Sequence, residues 1–161
     1  MDIDDRHTWV EHLGVDECWR LLAATPVGRV GVIVNSGPEI YPVNHAVDER
    51  TIVFRTDPGS KLAGMDRSPA VCYQVDGIDS AAETGWSVLV KGRAIELVDT
   101  EDLRRVAALR LRLWSIGEKE HWIRVEPAEV TGRRIWRSTD EATGPSAGCP
   151  PSGRLTRPPP P

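Results

Sequence analysis

The chain has 161 residues, 40% of them hydrophobic and 27% charged, which suits one globular domain with its own core. Its formal charge of -4 argues against a general nucleic-acid binder, which needs a basic face. Its longest apolar runs are only strand-length, so no membrane span is expected.

Residues 1–14 are polar, with Ile3, Trp9, Val10 and Leu13 as anchors, and read as a loose helical arm. Val15 to Ala24 is expected as a helix capped by Asp16, with Cys18, Trp19 and Leu22 on one face. Thr25-Pro26 closes it. Val27 to Val34 is rich in β-branched residues and ends at the turn Asn35-Ser36-Gly37-Pro38. Ile40 to Val47 follows, where Pro42 restricts the strand to an edge or a bulge. A further turn leads into Thr51 to Thr56, and together these runs predict an antiparallel meander.

A short helix from about Pro58 to Met65 precedes a strand over Ala70 to Val75 and a polar loop over 76–83. The longest predicted strand, Thr84 to Val98, contains Gly92, where a bend or bulge is expected. Thr100 can cap a helix with Glu101 and Asp102 at its positive dipole end. Leu103, Val106, Ala107, Leu111 and Trp114 mark its buried face, and Arg110 falls within that stripe. Arg104, Arg105 and Arg112 point into water. Trp122 to Trp136 reads as two short strands with Pro127 at the bend. From Ser138 the Gly/Pro/Ser/Thr-rich tail is expected to be disordered. The organisation is thus an arm (1–14), a domain (15–137) and a tail (138–161). The fold class is mainly β with α (α+β), an antiparallel β-barrel with helical cover.

Chemistry concentrates at one junction. Arg55, Thr56, Ser60 and Lys61 surround the passage from a strand into a helix start. Unpaired backbone N–H groups and the dipole favour an anion there, and a guanidinium, an ammonium and hydroxyls make a phosphate socket. The alternative is a solvated turn, with Asp57 and Pro58 as ordinary helix-start residues. His7, His12, His45 and His121 show no metal-ligand spacing, so no metal site is expected. Of Asn44 and His45, adjacent on a strand, one is expected to face inward. Cys18, Cys72 and Cys149 form no paired motif, as in a reducing cytoplasm, and Cys72 reads as a buried inert thiol. The six Trp are expected in the core or at a dimer interface.

Gly28-Arg29-Val30-Gly31, Tyr41-Pro42-Val43-Asn44, Phe54-Arg55-Thr56 to Ser60-Lys61-Leu62 and Trp86-Ser87-Val88-Leu89-Val90-Lys91-Gly92 resemble the pyridoxamine 5'-phosphate oxidase-like, flavin-binding split barrels. Trp122-Ile123-Arg124-Val125 with Val130-Thr131-Gly132-Arg133-Arg134 is similar to the actinobacterial-type members. The resemblance covers residues 15–136 in one order. It implies a small split barrel, a homodimer and two flavin mononucleotides (FMN) at the subunit interface, and the cysteine pattern adds a cytoplasmic location. By position, Arg55, Thr56, Ser60 and Lys61 would hold the phosphate, and Asn44 with the Trp86-Ser87 pair would line the isoalloxazine ring. Arg133 is a further candidate contact, open as to which subunit supplies it.

The activity implied is an FMN-dependent oxidoreductase passing electrons from a reduced donor such as NAD(P)H to a small organic acceptor or oxygen. A flavin carries the redox step itself, so no nucleophile or general base is required. Two alternatives stay open. One is a non-catalytic flavin or haem module, with His45 as the candidate axial ligand; the other is a deazaflavin-dependent reductase. The Arg-x-His substrate motif of a true pyridoxamine phosphate oxidase is absent, since the chain reads Arg133-Arg134-Ile135-Trp136.

Overall fold

The computed structural model describes residues 7–35, 37–109, 111 and 120–138. Their elements run β1 (His7–Leu13), α1 (Val15–Ala24), β2 (Val27–Val34), β3 (Gly37–Asp48), β4 (Thr51–Thr56), α2 (Ser60–Arg67), β5 (Ala70–Asp79), β6 (Thr84–Leu97), α3 (Thr100–Ala107) and β7 (His121–Ser138). The expected tail beyond Ser138, with Arg110, Arg112, Trp114 and Cys149, lies outside the described residues.

All strand pairs are antiparallel, in the order β1-β7-β4-β3-β2-β5-β6, and β6 pairs back onto β7. Six strands therefore close a ring, and β1 extends it. This is the split barrel with flanking helices. β7 gives one edge to β6 over most of its length and divides the other, first to β4 (121–125) and then to β1 (132–138).

The alternation in β2 survives as alternating burial, with Val30, Val32 and Val34 inside. Phe54, Tyr73, Val75, Val88, Val90, Ile123 and Val125 fill the rest of the interior, and α1 closes one end with Cys18, Trp19 and Leu22. The β2–β3–β4 meander forms as expected. Pro42 pairs with Arg29 on β2, while β3 meets β4 only from His45 onward, so the proline sits on a local edge. Glu49 and Arg50 form a two-residue hairpin with φ of 53 and 89, a turn that fits the right-handed twist of the flanking strands.

Several expectations change. The described part of the arm is a strand, because His7–Leu13 finds a partner at the far end of β7. The two short C-terminal strands are one 18-residue strand. Pro127 does not break it, since the register skips Ala128 opposite Lys91/Gly92 and the missing N–H falls at that bulge. Gly14, not Asp16, caps α1, with Asp16 in its first turn; Asp99, not Thr100, caps α3 by accepting from the N–H groups of Glu101 and Asp102. Helix α3 ends at Ala107, so Ala107 is exposed and Leu111 lies beyond the helix. Cys72 is exposed, since it alternates with buried Val71 and Tyr73.

Asn44 and His45 are both buried, because the strand is covered on both faces. His45 donates from Nε2 to the Leu22 carbonyl at 2.9 Å and meets Tyr73 edge-on, with ring centroids 5.2 Å apart. On the opposite face α3 packs Val106 against Val53 and Leu97. A charge network fixes it there. Arg124 reaches Asp48 at 3.3 Å and Asp102 at 3.1 Å, and Arg105, expected to point only into water, also pairs with both carboxylates. Arg134 similarly ties Glu17 of α1 (2.6 Å) to Glu11 of β1 (3.2 Å), and its guanidinium holds the Glu17 carboxyl below the usual carboxylate range.

Two outcomes follow from this packing. A Cβ on Gly92 would lie 2.1 Å from the Glu126 carbonyl oxygen, so Gly92→Ala must displace the backbone of β7. Its expected cost is about 1–3 kcal/mol, visible as a lower Tm; an unchanged Tm would show that the bulge yields freely. Burial also holds His45 below its ordinary pKa of 6.5, so the unfolded chain takes up this proton before the folded one does. The stability from neutral His45 is complete above pH 6.5 and is lost as pH falls below it toward the depressed folded value. Urea unfolding at pH 7.5 and 5.5 should show a larger loss in the wild type than in His45→Gln, and equal losses would remove His45 from the acid response.

Candidate functional site

The first half of the site is built where β4 meets α2. Arg55 pairs in register with Trp122, and its guanidinium carbon lies 5.3 Å from the centroid of that indole. Its Nε is buried with no hydrogen-bond partner. Thr56 is buried and donates to the Asp57 carbonyl at 3.2 Å. Helix α2 starts at Ser60 after Gly59, with no side-chain cap and no acidic residue in its first turn. Lys61 places its ammonium 5.4 Å from the ring centroid of Tyr41 on β3. Asn44 follows one step beyond the His45–Phe54 pair, which brings it beside Arg55, and its amide donates to the Pro26 carbonyl at 3.4 Å.

An N–H group buried without an acceptor is costly, and an uncapped helix start leaves further donors open. Arg55 and Lys61 thus flank the uncapped start of α2 along the chain, each cation over an aromatic ring. These are the groups a phosphate needs, and Asp57 is exposed to solvent beside them.

The second half lies on the barrel's outer face. His12, Arg133, Ser87 and Asp76 stand opposite one another across β1, β7, β6 and β5. The neighbouring row on the same face is Val10, Ile135, Gly85 and Ile78. The two rows line a cleft of about 380 Å³, and a second of about 190 Å³ continues from it past Ser87 and Arg133. Asp76 is held by Arg29 at 2.6 Å. An apolar floor beside a hydroxyl and a guanidinium suits a flat ring with a polar edge.

Trp86 and Ser87 both line this cleft, from different directions. Adjacent strand residues point to opposite faces, and the Trp86 indole folds across Gly77, where an added Cβ would lie 2.5 Å from Nε1. Trp86 therefore stands as a partition, contributing to this cleft and to another on the far face that also holds Arg134.

The eight candidate residues fall into two groups. Arg55 lies beside Asn44 near the start of β7, while Thr56, next to it on the strand, is buried on the opposite face with Phe54, and Ser60 and Lys61 follow in α2; Ser87, Arg133 and Trp86 line the cleft toward the other end of β7. From Trp122, opposite Arg55, to Arg133 the path along β7 is about 35 Å at the usual strand rise. The two groups thus stand toward opposite ends of β7.

Sequence reading missed Trp122 and Tyr41 as the aromatic supports of the two cations, and His12 as a neighbour of Arg133. Trp122 and Tyr41 both lay within quoted motifs with no role given, and only the pairing of distant strands reveals what Trp122 and His12 stand beside. His121, read as unremarkable, pairs with Glu96 at 2.6 Å. No group of metal-ligating side chains occurs among the described residues. His45, the haem candidate, is committed to α1 and the interior, which does not fit an open axial ligand. No helix among the described residues is long and apolar enough to cross a membrane.

Comparison with known proteins places this geometry in a family. The family described as pyridoxamine 5'-phosphate oxidase matches residues 14–134. An uncharacterised protein of Mycobacterium tuberculosis is 38% identical over 131 residues, covering 78% of this chain and 86% of its own. The FAD-binding protein from Mycobacterium smegmatis superposes with a TM-score of 0.65 at 35% identity, covering 79% of this chain and 98% of its own. A FAD-binding protein from Mesorhizobium loti gives 0.66 at 28% identity, covering 80% and 98%. A haem-binding protein from M. smegmatis shares the fold at 15% identity, with a TM-score of 0.58 and coverage of 71% of this chain and 51% of its own. With the match spanning most of its length and the split barrel in place, the chain belongs to the pyridoxamine 5'-phosphate oxidase family.

Proposed function

We propose that two copies of this chain bind a flavin phosphate between them and use it as an oxidoreductase, passing electrons from a reduced donor such as NAD(P)H to a small organic acceptor or oxygen. The observation that carries this reading is the Arg55 guanidinium, with a buried and unpartnered Nε, beside the uncapped start of α2. The separation of the half-sites supports the dimer, since the outer cleft of a second copy can meet the socket of the first.

When bound, a flavin supplies hydride and single-electron transfer on its own. The chain's residues bind and orient. Arg55, Lys61 and the N–H groups of α2 hold the phosphate, and Asn44 presents its amide beside them. Ser87 and Arg133 of the second copy meet the ring's polar edge, where the cation favours an anionic reduced form. Val10, Ile78 and Ile135 of the same cleft exclude water from its apolar face. FMN is placed first. FAD, named for two relatives, carries the corresponding phosphate within a pyrophosphate, so the socket would meet a phosphate in either cofactor, as a terminal monoester only in FMN. The missing Arg-x-His motif separates the substrate from pyridoxine phosphate.

The test is retention of cofactor after gel filtration, offering FMN, FAD and a deazaflavin in turn. The expected result is a flavin spectrum on a dimer-sized peak, bleached by NAD(P)H or dithionite and restored by air. Arg55→Ala and Lys61→Ala should each weaken binding about tenfold or more, the scale of a lost charge-assisted bond. Full affinity in both variants would refute the socket. Retention of only the deazaflavin would move the activity to that cofactor.

A further inference from the structure

We propose that Tyr41 is a positioning residue for Lys61, holding its ammonium over the phosphate socket before any ligand arrives. The inference rests on the socket described above and adds to it a determinant on a different strand. Tyr41 belongs to β3, whereas Lys61 lies in the first turn of α2.

The geometry is specific. The Lys61 ammonium stands 5.4 Å from the Tyr41 ring centroid, within the range where a cation is attracted to the negative face of an aromatic ring. The Tyr41 hydroxyl donates to the Glu39 carboxylate two residues away. Tyr41 is half-buried, so the ring is a stable platform and not a solvated side chain.

A lysine on a helix surface otherwise samples many rotamers, and ordering it on binding costs entropy. A ring beneath the ammonium pays that cost in advance. Arg55 is supported the same way, over Trp122 at 5.3 Å, so both cations rest on aromatic rings from neighbouring strands. For Arg55 the support comes from its own cross-strand partner; for Lys61 the chain brings in a tyrosine from β3.

The experiment measures dissociation constants of FMN and of riboflavin, which lacks the phosphate, by quenching of flavin fluorescence. It uses the full chain as wild type, Tyr41→Phe, Tyr41→Leu, Lys61→Ala and the Tyr41→Leu/Lys61→Ala double variant. Tyr41→Leu should weaken FMN about three- to fivefold and leave riboflavin unchanged, while Tyr41→Phe stays within about twofold of the wild type. The double variant should bind FMN like Lys61→Ala alone, because the ring acts through the ammonium. Tyr41→Trp, which keeps an aromatic face, should retain FMN and serves as the second variant if Tyr41→Leu does not fold.

Three results would overturn the proposal: a Tyr41→Leu loss that is equal for riboflavin, one that adds in full to Lys61→Ala, or no loss at all for Tyr41→Leu. If Lys61→Ala itself leaves FMN binding unchanged, the socket fails and Tyr41 has nothing to position. If Lys61→Ala weakens FMN while Tyr41→Leu does not, the socket stands and only the role of Tyr41 falls.

Discussion

A single strand, β7, holds the molecule together. It gives one edge to β6 and splits the other between β4 and β1, so the ring closes only because this strand runs unbroken through its bulge. The residues suited to phosphate sit beside one end of β7 and those suited to a ring beside the other. In the dimer we propose, a second copy brings its outer cleft to the socket of the first.

Each end of β7 is locked by charge as well as by packing. Arg124 joins Asp48 of β3 to Asp102 of α3, and Arg134 joins Glu11 of β1 to Glu17 of α1. Arg124 is mostly buried, and in such a setting an ion pair contributes little net stability while the loss of one partner strands the other. The network therefore fixes where α3 lies more than it stabilises the fold. Arg55 and Lys61 differ from these in resting each on an aromatic face, which orients the charge.

Local patterns in the sequence carry much of this architecture. The alternation of β2, the tight turns of the meander and the glycine at the β6 bulge are all short-range signals, and each appears in the structure where it was expected. What the sequence hides is pairing. His7 to Leu13 reads as part of a polar arm and becomes β1 because residues 132–138 are there to receive it. Pro127 looks like a break until the bulge opposite Gly92 makes its missing N–H harmless. Asn44 and His45 look like an in-out pair until α1 and α3 cover both faces. The site divides in the same way. Arg55 to Lys61 is consecutive and legible, and family resemblance supplied Ser87 and Arg133. Only the register shows that these two stand side by side, and that Trp86 reaches the same cleft from across Gly77.

The central claim is that each flavin site takes its phosphate half from one copy and its ring half from the other. Complementation tests it most directly. One variant carries Arg55→Ala and Lys61→Ala, the other Ser87→Ala and Arg133→Ala, and each alone should fail to retain flavin. Unfolded together and refolded as a mixture, they should form mixed dimers in which one site draws both intact halves and the other draws neither. Flavin should then be recovered on the dimer peak at tight, wild-type affinity. A mixture that retains no more flavin than its components, with mixed dimers shown to be present, would contradict the account and return the whole site to a single chain.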